Sequence, residues 1–157
     1  MKDEIIERLE TIAFKVTKPF CYSCYSEAPT GRCSACGSDD LMRLMPGVGC
    51  EWGTDWVIRE LVREIETVDT DERFEDSIRG CYPETTKIGW LDYDTATAIK
   101  ELDPISWDLA KSEWLDQEES EDILMSFNHG REFHDVSSVL EFCDEKESEL
   151  EINRPSA

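Results

Sequence analysis

Four cysteines spaced C-x2-C-x8-C-x2-C, namely Cys21, Cys24, Cys33 and Cys36, restrict this chain more than any other feature of its 157 residues. Each close pair can form a tight knuckle whose two sulfurs reach one ion, and two knuckles complete the tetrahedral thiolate set that zinc prefers. The spacing therefore predicts one structural Zn2+ held by these four residues. A disulfide framework would be the competing use of seven cysteines. Acidic residues in Met1-Lys2-Asp3-Glu4-Ile5-Ile6-Glu7-Arg8 stand where a secretory signal needs an apolar run, and no later stretch is long and apolar enough to span a bilayer. A cytoplasmic setting without membrane attachment is expected, and there thiols stay reduced and available as ligands.

Within that pattern, Cys33-Ser34-Ala35-Cys36-Gly37-Ser38 followed by Leu41 resembles the second knuckle of zinc-ribbon modules, in which Gly after the last ligand lets the backbone turn under the metal. The first knuckle departs from the pattern, because Tyr25 stands where a small residue is common. The resemblance covers residues 18–45 and implies a metal in a site closed to substrate, with no function carried over. A tetrathiolate iron site of the rubredoxin kind uses the same ligands and stays open.

Charge divides the chain unevenly. Residues 1–50 hold six Lys and Arg against seven Asp and Glu, a sum of −1, whereas residues 51–157 hold ten against thirty, a sum of −20. Such a field opposes binding to nucleic-acid phosphates and to acidic membranes, whose affinity for proteins comes from Lys and Arg. The partner it favours is a basic protein surface, including that of a nucleic-acid-binding protein.

Periodicity and caps predict an α+β chain: a small four-cysteine zinc-ribbon-like lobe beside an acidic, mainly helical domain with a short β-hairpin. A first amphipathic helix over 3–14 places Ile5, Ile6, Leu9, Ile12 and Ala13 on one stripe. Phe14 to Phe20 reads as extended, and Asp39 to Leu44 as a helical turn before Pro46-Gly47-Val48-Gly49. Thr54 is the expected cap of a helix carrying Val57, Leu61, Val62 and Ile65, and Thr70 of one reaching Arg79. Lys87 to Tyr93 has strand composition. Asp94 should open a helix from Thr95 to Leu102, and Asp103-Pro104 another from Ile105 to about Leu115. The acidic run Gln117 to Asp122 reads as a loop, Ile123 to Phe127 and Arg131 to His134 as hairpin arms around Asn128-His129-Gly130, and Asp135 as the opening of a last helix. The domains expected are 1–46 for the N-terminal helix and lobe, 47–143 for the acidic domain, and 144–157 for a frayed or disordered tail.

No catalytic set is legible. Cys50, Cys81 and Cys143 lack partners at ligand spacing and read as core residues, while His129 and His134 read as turn and strand residues. Asp92-Tyr93-Asp94 with Glu101 and Asp103 fails as a calcium loop, since Thr97 stands where Gly is required. Gly47-Val48-Gly49 lacks the rest of a phosphate-binding fingerprint. In the helix after Pro104, Trp107 and Trp114 suit either the core or a docking face rimmed by Asp108, Glu113 and Asp116, continued by Glu118, Glu119, Glu121 and Asp122.

The function expected is that of a non-enzymatic acidic, zinc-containing interaction protein. Its charge pattern is similar to that of DNA-mimic inhibitors, which implies inhibition of a nucleic-acid-binding protein or enzyme, as in phage or plasmid anti-defence. Two alternatives stand beside it. Lys15, Lys18, Arg32 and Arg43 with Phe20, Tyr22 and Tyr25 near the knuckles could read single-stranded nucleic acid by stacking. Abundant carboxylates could instead serve a small magnesium-dependent hydrolase.

Overall fold

The computed structural model describes residues Met1–Glu151, which form six α-helices and eight short strands in three antiparallel sheets, an α+β protein. They divide into two compact units. The first joins Met1–Glu66 to the residues from Ser137 onward, and the second is Thr67–Val136. The chain thus leaves its first unit, builds the second, and returns.

In the first unit, helix α1 (Lys2–Val16) buries Ile5, Leu9, Ile12 and Ala13, four of the five residues of the expected stripe, with Ile6 half-buried at its edge. Its last carbonyls would lack partners, but Arg43 supplies them. The guanidinium donates to the carbonyls of Phe14 (2.9 Å) and Thr17 (3.0 Å) and to Thr17 Oγ1 (2.9 Å), and it lies 4.0 Å over the Phe14 ring. Arg43 belongs to a four-stranded sheet in the order β2-β1-β3-β4, built from β1 (Lys18–Cys21), β2 (Ser26–Glu27), β3 (Met42–Met45) and β4 (Gly49–Glu51). The helical turn expected over Asp39 to Leu44 is corrected here, because pairing of Lys18, Pro19 and Phe20 with Leu44, Arg43 and Met42 holds this segment extended against the helix propensity of Leu, Met and Arg. Pro46 lies in the β3–β4 turn, so the boundary drawn there falls within a sheet. Gly47, at φ +79°, supplies the left-handed residue of that turn.

Helix α2 (Asp55–Leu61) follows with Thr54 at its N-cap position, though the threonine side chain makes no capping bond, and it buries Trp56, Val57, Ile58 and Leu61. Helix α6 (Val136–Glu149) completes the unit. The expected tail starting at 144 is helical as far as Glu149, and Arg8 provides the reason: its Nε and Nη2 donate to the two Glu147 oxygens at 2.7 and 3.1 Å, and Nη2 reaches Asp144 at 2.7 Å. Residues 152–157 of that tail lie outside the described residues.

In the second unit, helix α3 (Thr70–Cys81) is capped by Asp69, one residue before the expected Thr70, through the Glu72 N–H. The expected single strand at Lys87 to Tyr93 is a hairpin of β5 (Thr85–Ile88) and β6 (Leu91–Asp94). Asp94 and Asp103 cap α4 (Thr95–Leu102) and α5 (Pro104–Ser120) as expected, each accepting from the N–H three residues on. The expected loop at Gln117 is instead the last turn of α5. Helix α5 stops only where Asp122 turns left-handed (φ +58°), with Ile123 N–H donating to the Glu118 carbonyl and Asp122 N–H to that of Glu119, a Schellman ending made without glycine. The second expected hairpin forms in shortened register, as β7 (Leu124–Met125) paired with β8 (His134–Asp135). Phe74, Ala96 and Trp107 form the core of this unit, joined by Ile78, Ile99 and Trp114.

Candidate metal centre and interaction surface

The first knuckle lies in the β1–β2 turn, which puts Cys21 at the end of a paired strand and Cys24 in the turn itself. Tyr25 adopts φ +52° there, which explains why a small residue suits that position: a side chain costs roughly 1–2 kcal/mol in the left-handed region. In the second knuckle the Gly37 N–H donates to the Cys33 carbonyl at 2.8 Å with φ +72°, and the Cys33 N–H donates to the Ser38 carbonyl at 2.9 Å. The turn under the second pair is therefore closed at both ends.

These knuckles bring all four sulfurs within 4.8 Å of one another, with Cys21 and Cys36 at 3.7 Å. A tetrahedral ion with Zn–S bonds of about 2.3 Å requires sulfurs about 3.8 Å apart, so the group is close to the size of a bound-metal site. Charge on the sulfurs also fits a cation. The backbone N–H groups of Cys36 and then Ala35 draw the Cys33 thiol down to about 6, whereas hydrogen bonds with the sulfurs of Cys36 and then Cys33 push Cys24 up to about 12. Four sulfurs this close cannot all be thiolates without a positive ion among them, and a metal removes that conflict by deprotonating its ligands. The four cysteines are a group able to hold a metal ion.

Cys143 is buried, as expected of a core cysteine, Cys50 is half-buried with its thiol pushed up by burial, and Cys81 is exposed. His134 is buried beside the Phe127 ring, while His129 is exposed in the left-handed region, a turn position. Near the knuckles, Tyr22 and Tyr25 are exposed, and Tyr25 meets the rings of Phe20 and Tyr22 edge-on. Of the cations near them, Arg43 is committed to α1, Lys18 faces Glu27 at 3.7 Å, and Arg32 faces Asp39 at 4.0 Å. The lobe's own acids and carbonyls thus occupy most of its basic groups.

On α5 the two tryptophans turn inward. Trp107 is 3% exposed and meets Phe74 at 4.8 Å, with Trp114 at 5.5 Å from the same ring. At 100° per residue, Ile105, Asp108, Leu109, Glu113 and Asp116 fall on the opposite side, where all five are exposed, Ile105 by 74% and Leu109 by 63%. Glu118 and Glu119 are half-buried, Asp122 also, and Glu121 accepts from Gln117 at 3.2 Å. The exposed apolar residues of this face are therefore aliphatic, Ile105 and Leu109. A helix with apolar residues on both sides gives no periodic signal for which side packs, so the sequence left that choice open.

The second unit carries 19 Asp and Glu against six Lys and Arg, a sum of −13. Four of the six cations are tied to its own acids: Arg73 to Asp135, Arg79 to Asp94, Lys100 to Glu75 and Lys111 to Asp71. Asp108, Glu113 and Asp116 take part in no ion pair among the described residues. No helix among the described residues is long and apolar enough to cross a membrane. Comparison with protein-family models, curated proteins and solved structures returns no match.

Proposed function

We propose that this chain is a non-enzymatic, cytoplasmic interaction protein whose acidic second unit occupies the nucleic-acid-binding surface of a basic partner, with zinc in the four-cysteine group stapling the first unit. The observation that carries this reading is the outward face of α5. Asp108, Glu113 and Asp116 stand there uncompensated, while most cations of the unit are spent internally. Along the outward side of the helix Asp108, Glu113 and Asp116 span roughly 12 Å of axis at 1.5 Å per residue, or about one carboxylate per 4 Å, near the ~3.4 Å per charge of one DNA strand. A groove built for phosphates would meet a comparable line of charge. Inhibition of a nucleic-acid enzyme, as by phage and plasmid DNA mimics, is the role that such a surface suits. Zinc is favoured over iron as a metal of closed, purely structural tetrathiolate sites.

The test is affinity capture from the native host, followed by competition. Retained proteins should be nucleic-acid-binding, should release this chain when duplex DNA is added, and should bind more weakly as salt shortens the screening length to about 8 Å near physiological ionic strength. Replacing Asp108, Glu113 and Asp116 together by Lys should slow association more than it alters folding, since exposed charges mainly steer encounter. A partner that holds this protein and its nucleic acid at once, with affinity indifferent to salt, refutes the proposal.

A further inference from the structure

The β5–β6 hairpin is built as a finger. Its turn is Gly89-Trp90, flanked by the Ile88–Leu91 pair, and Gly89 at φ +62° before a residue of ordinary φ fits the type II′ turn favoured in two-residue hairpins. Side chains alternate between faces, so Ile88, Leu91, Thr86 and Tyr93 share one face and Lys87, Asp92, Thr85 and Asp94 the other. Ile88, Leu91 and Tyr93 are each more than two-fifths exposed, and Trp90 at the tip is 90% exposed.

Only the base is fixed. The Thr95 N–H donates to the Glu84 carbonyl at 2.9 Å, Thr95 Oγ1 donates to the Pro83 carbonyl at 2.5 Å, and Arg79 clamps Asp94 at 3.3 Å. A two-stranded hairpin is marginal in water without something packed on its apolar face, and large exposed aromatics dominate binding energy at protein interfaces. The finger thus presents, from an anchored base, a fully exposed Trp90 at its tip above Ile88, Leu91 and Tyr93, which the described residues cover only in part.

Charge decides the occupant. A second copy of this unit would bring another −13 against the first, and nucleic acid or an anionic membrane would be repelled in the same way. Resting on the reading of the chain as an acidic interaction protein, we propose that the Ile88–Trp90–Leu91–Tyr93 finger inserts into an apolar patch, ringed by Lys and Arg, on that basic protein partner. The acidic surroundings draw the partner in, and Trp90 supplies the anchor.

Two synthetic helical peptides test this at low ionic strength, one with Leu and Lys on opposite faces and one with Ser in place of every Leu. The intact chain should bind both with steep salt dependence and should bind the Leu–Lys peptide more tightly. Trp90→Ser should remove that preference, weakening the Leu–Lys peptide roughly 10- to 30-fold, as expected for loss of an aromatic anchor, and leave the Ser–Lys peptide unaffected. Leu91→Ser should act in the same direction, and both variants should unfold at the temperature of the parent. Failure of both peptides to bind would overturn the acidic-interaction reading itself. If both bind but Trp90→Ser changes nothing, or if Ile105→Ser with Leu109→Ser removes the preference instead, that reading survives and the finger proposal falls. Self-association abolished by Trp90→Ser would likewise overturn it, by making a second copy the occupant.

Discussion

Replacing Trp107 by alanine separates a core tryptophan from a docking one. At 3% exposure the side chain is removed from water almost completely; an aromatic of this kind buries roughly 150–250 Å², and at about 25 cal/mol per Å² its transfer contributes about 4–6 kcal/mol as an upper bound. Measured aromatic-to-alanine changes in cores cost about 3–5 kcal/mol, cavity included. The second unit has 70 residues, for which a typical stability is about 3.5–10 kcal/mol. Trp107→Ala should therefore remove about 3–5 kcal/mol, nearly all of the unit's stability at the lower end of that range and about half at the upper end, while Trp107→Phe, which keeps a ring against Phe74, should cost clearly less. Urea unfolding followed by far-ultraviolet circular dichroism reads both variants, with Trp90→Ser as the control expected within about 0.5 kcal/mol of the parent. If Trp107→Ala costs under about 1 kcal/mol, the inward orientation of α5 is wrong, and the faces assigned to Ile105 and Trp107 exchange roles.

Elemental analysis should find close to one zinc per chain, lost when Cys21, Cys24, Cys33 or Cys36 is replaced by Ser and kept in Cys50→Ser, Cys81→Ser and Cys143→Ser; loss through one of the latter three would refute the ligand set. Arg8→Met should destabilise the first unit by about 2–3 kcal/mol, because the 6%-exposed Glu147 carboxylate loses two guanidinium hydrogen bonds. Adding Glu147→Leu should recover part of that loss in a double-mutant cycle, and strict additivity would refute the coupling. Arg79, and then Thr97, hold the Asp94 carboxyl down at about 2, below its ordinary 3.8. Its stabilising effect is complete above about 4 and lost as the pH falls toward 2. Asp94→Asn should therefore flatten the acid limb of the second unit's stability curve, and an unchanged limb would assign that sensitivity elsewhere.

What the sequence made legible was local. The cysteine spacing, the caps Asp94 and Asp103-Pro104, and the buried stripe of α1 each act within a few residues, so each could be read directly. The misread elements depend on distant partners. Segment 42–45 is a strand because β1 pairs with it, and Asp144 to Glu149 is ordered beside Arg8, 139 positions from Glu147. The same distance hid the division of the chain, since α6 returns to a unit that begins at Met1. Helix α5 outran its expected end because Asp122, where glycine is the usual signal, takes the left-handed position. The hairpin tip was hidden differently: Lys87 to Tyr93 has the composition of one strand, and Gly89 alone marks the fold-back.

The exposed apolar groups and the excess acid make sense as one arrangement. Trp90, Ile105 and Leu109 are the kind of surface through which copies of a protein associate and aggregate. Like charge on every copy opposes that association, and the opposition is strongest at low ionic strength, where an attraction to a basic surface is strongest too. Compensating the outward carboxylates of α5 with more Lys would relieve repulsion within the fold, yet it would weaken both the barrier to self-association and the pull on a cationic partner. The internal ion pairs of Arg73, Arg79, Lys100 and Lys111 stabilise the unit where its elements meet and leave Asp108, Glu113 and Asp116 free to act outward. Under the proposed function, charge would select the class of partner, and the exposed side chains of the finger tip and of α5, Trp90, Ile105 and Leu109, would supply the contact once that partner had arrived.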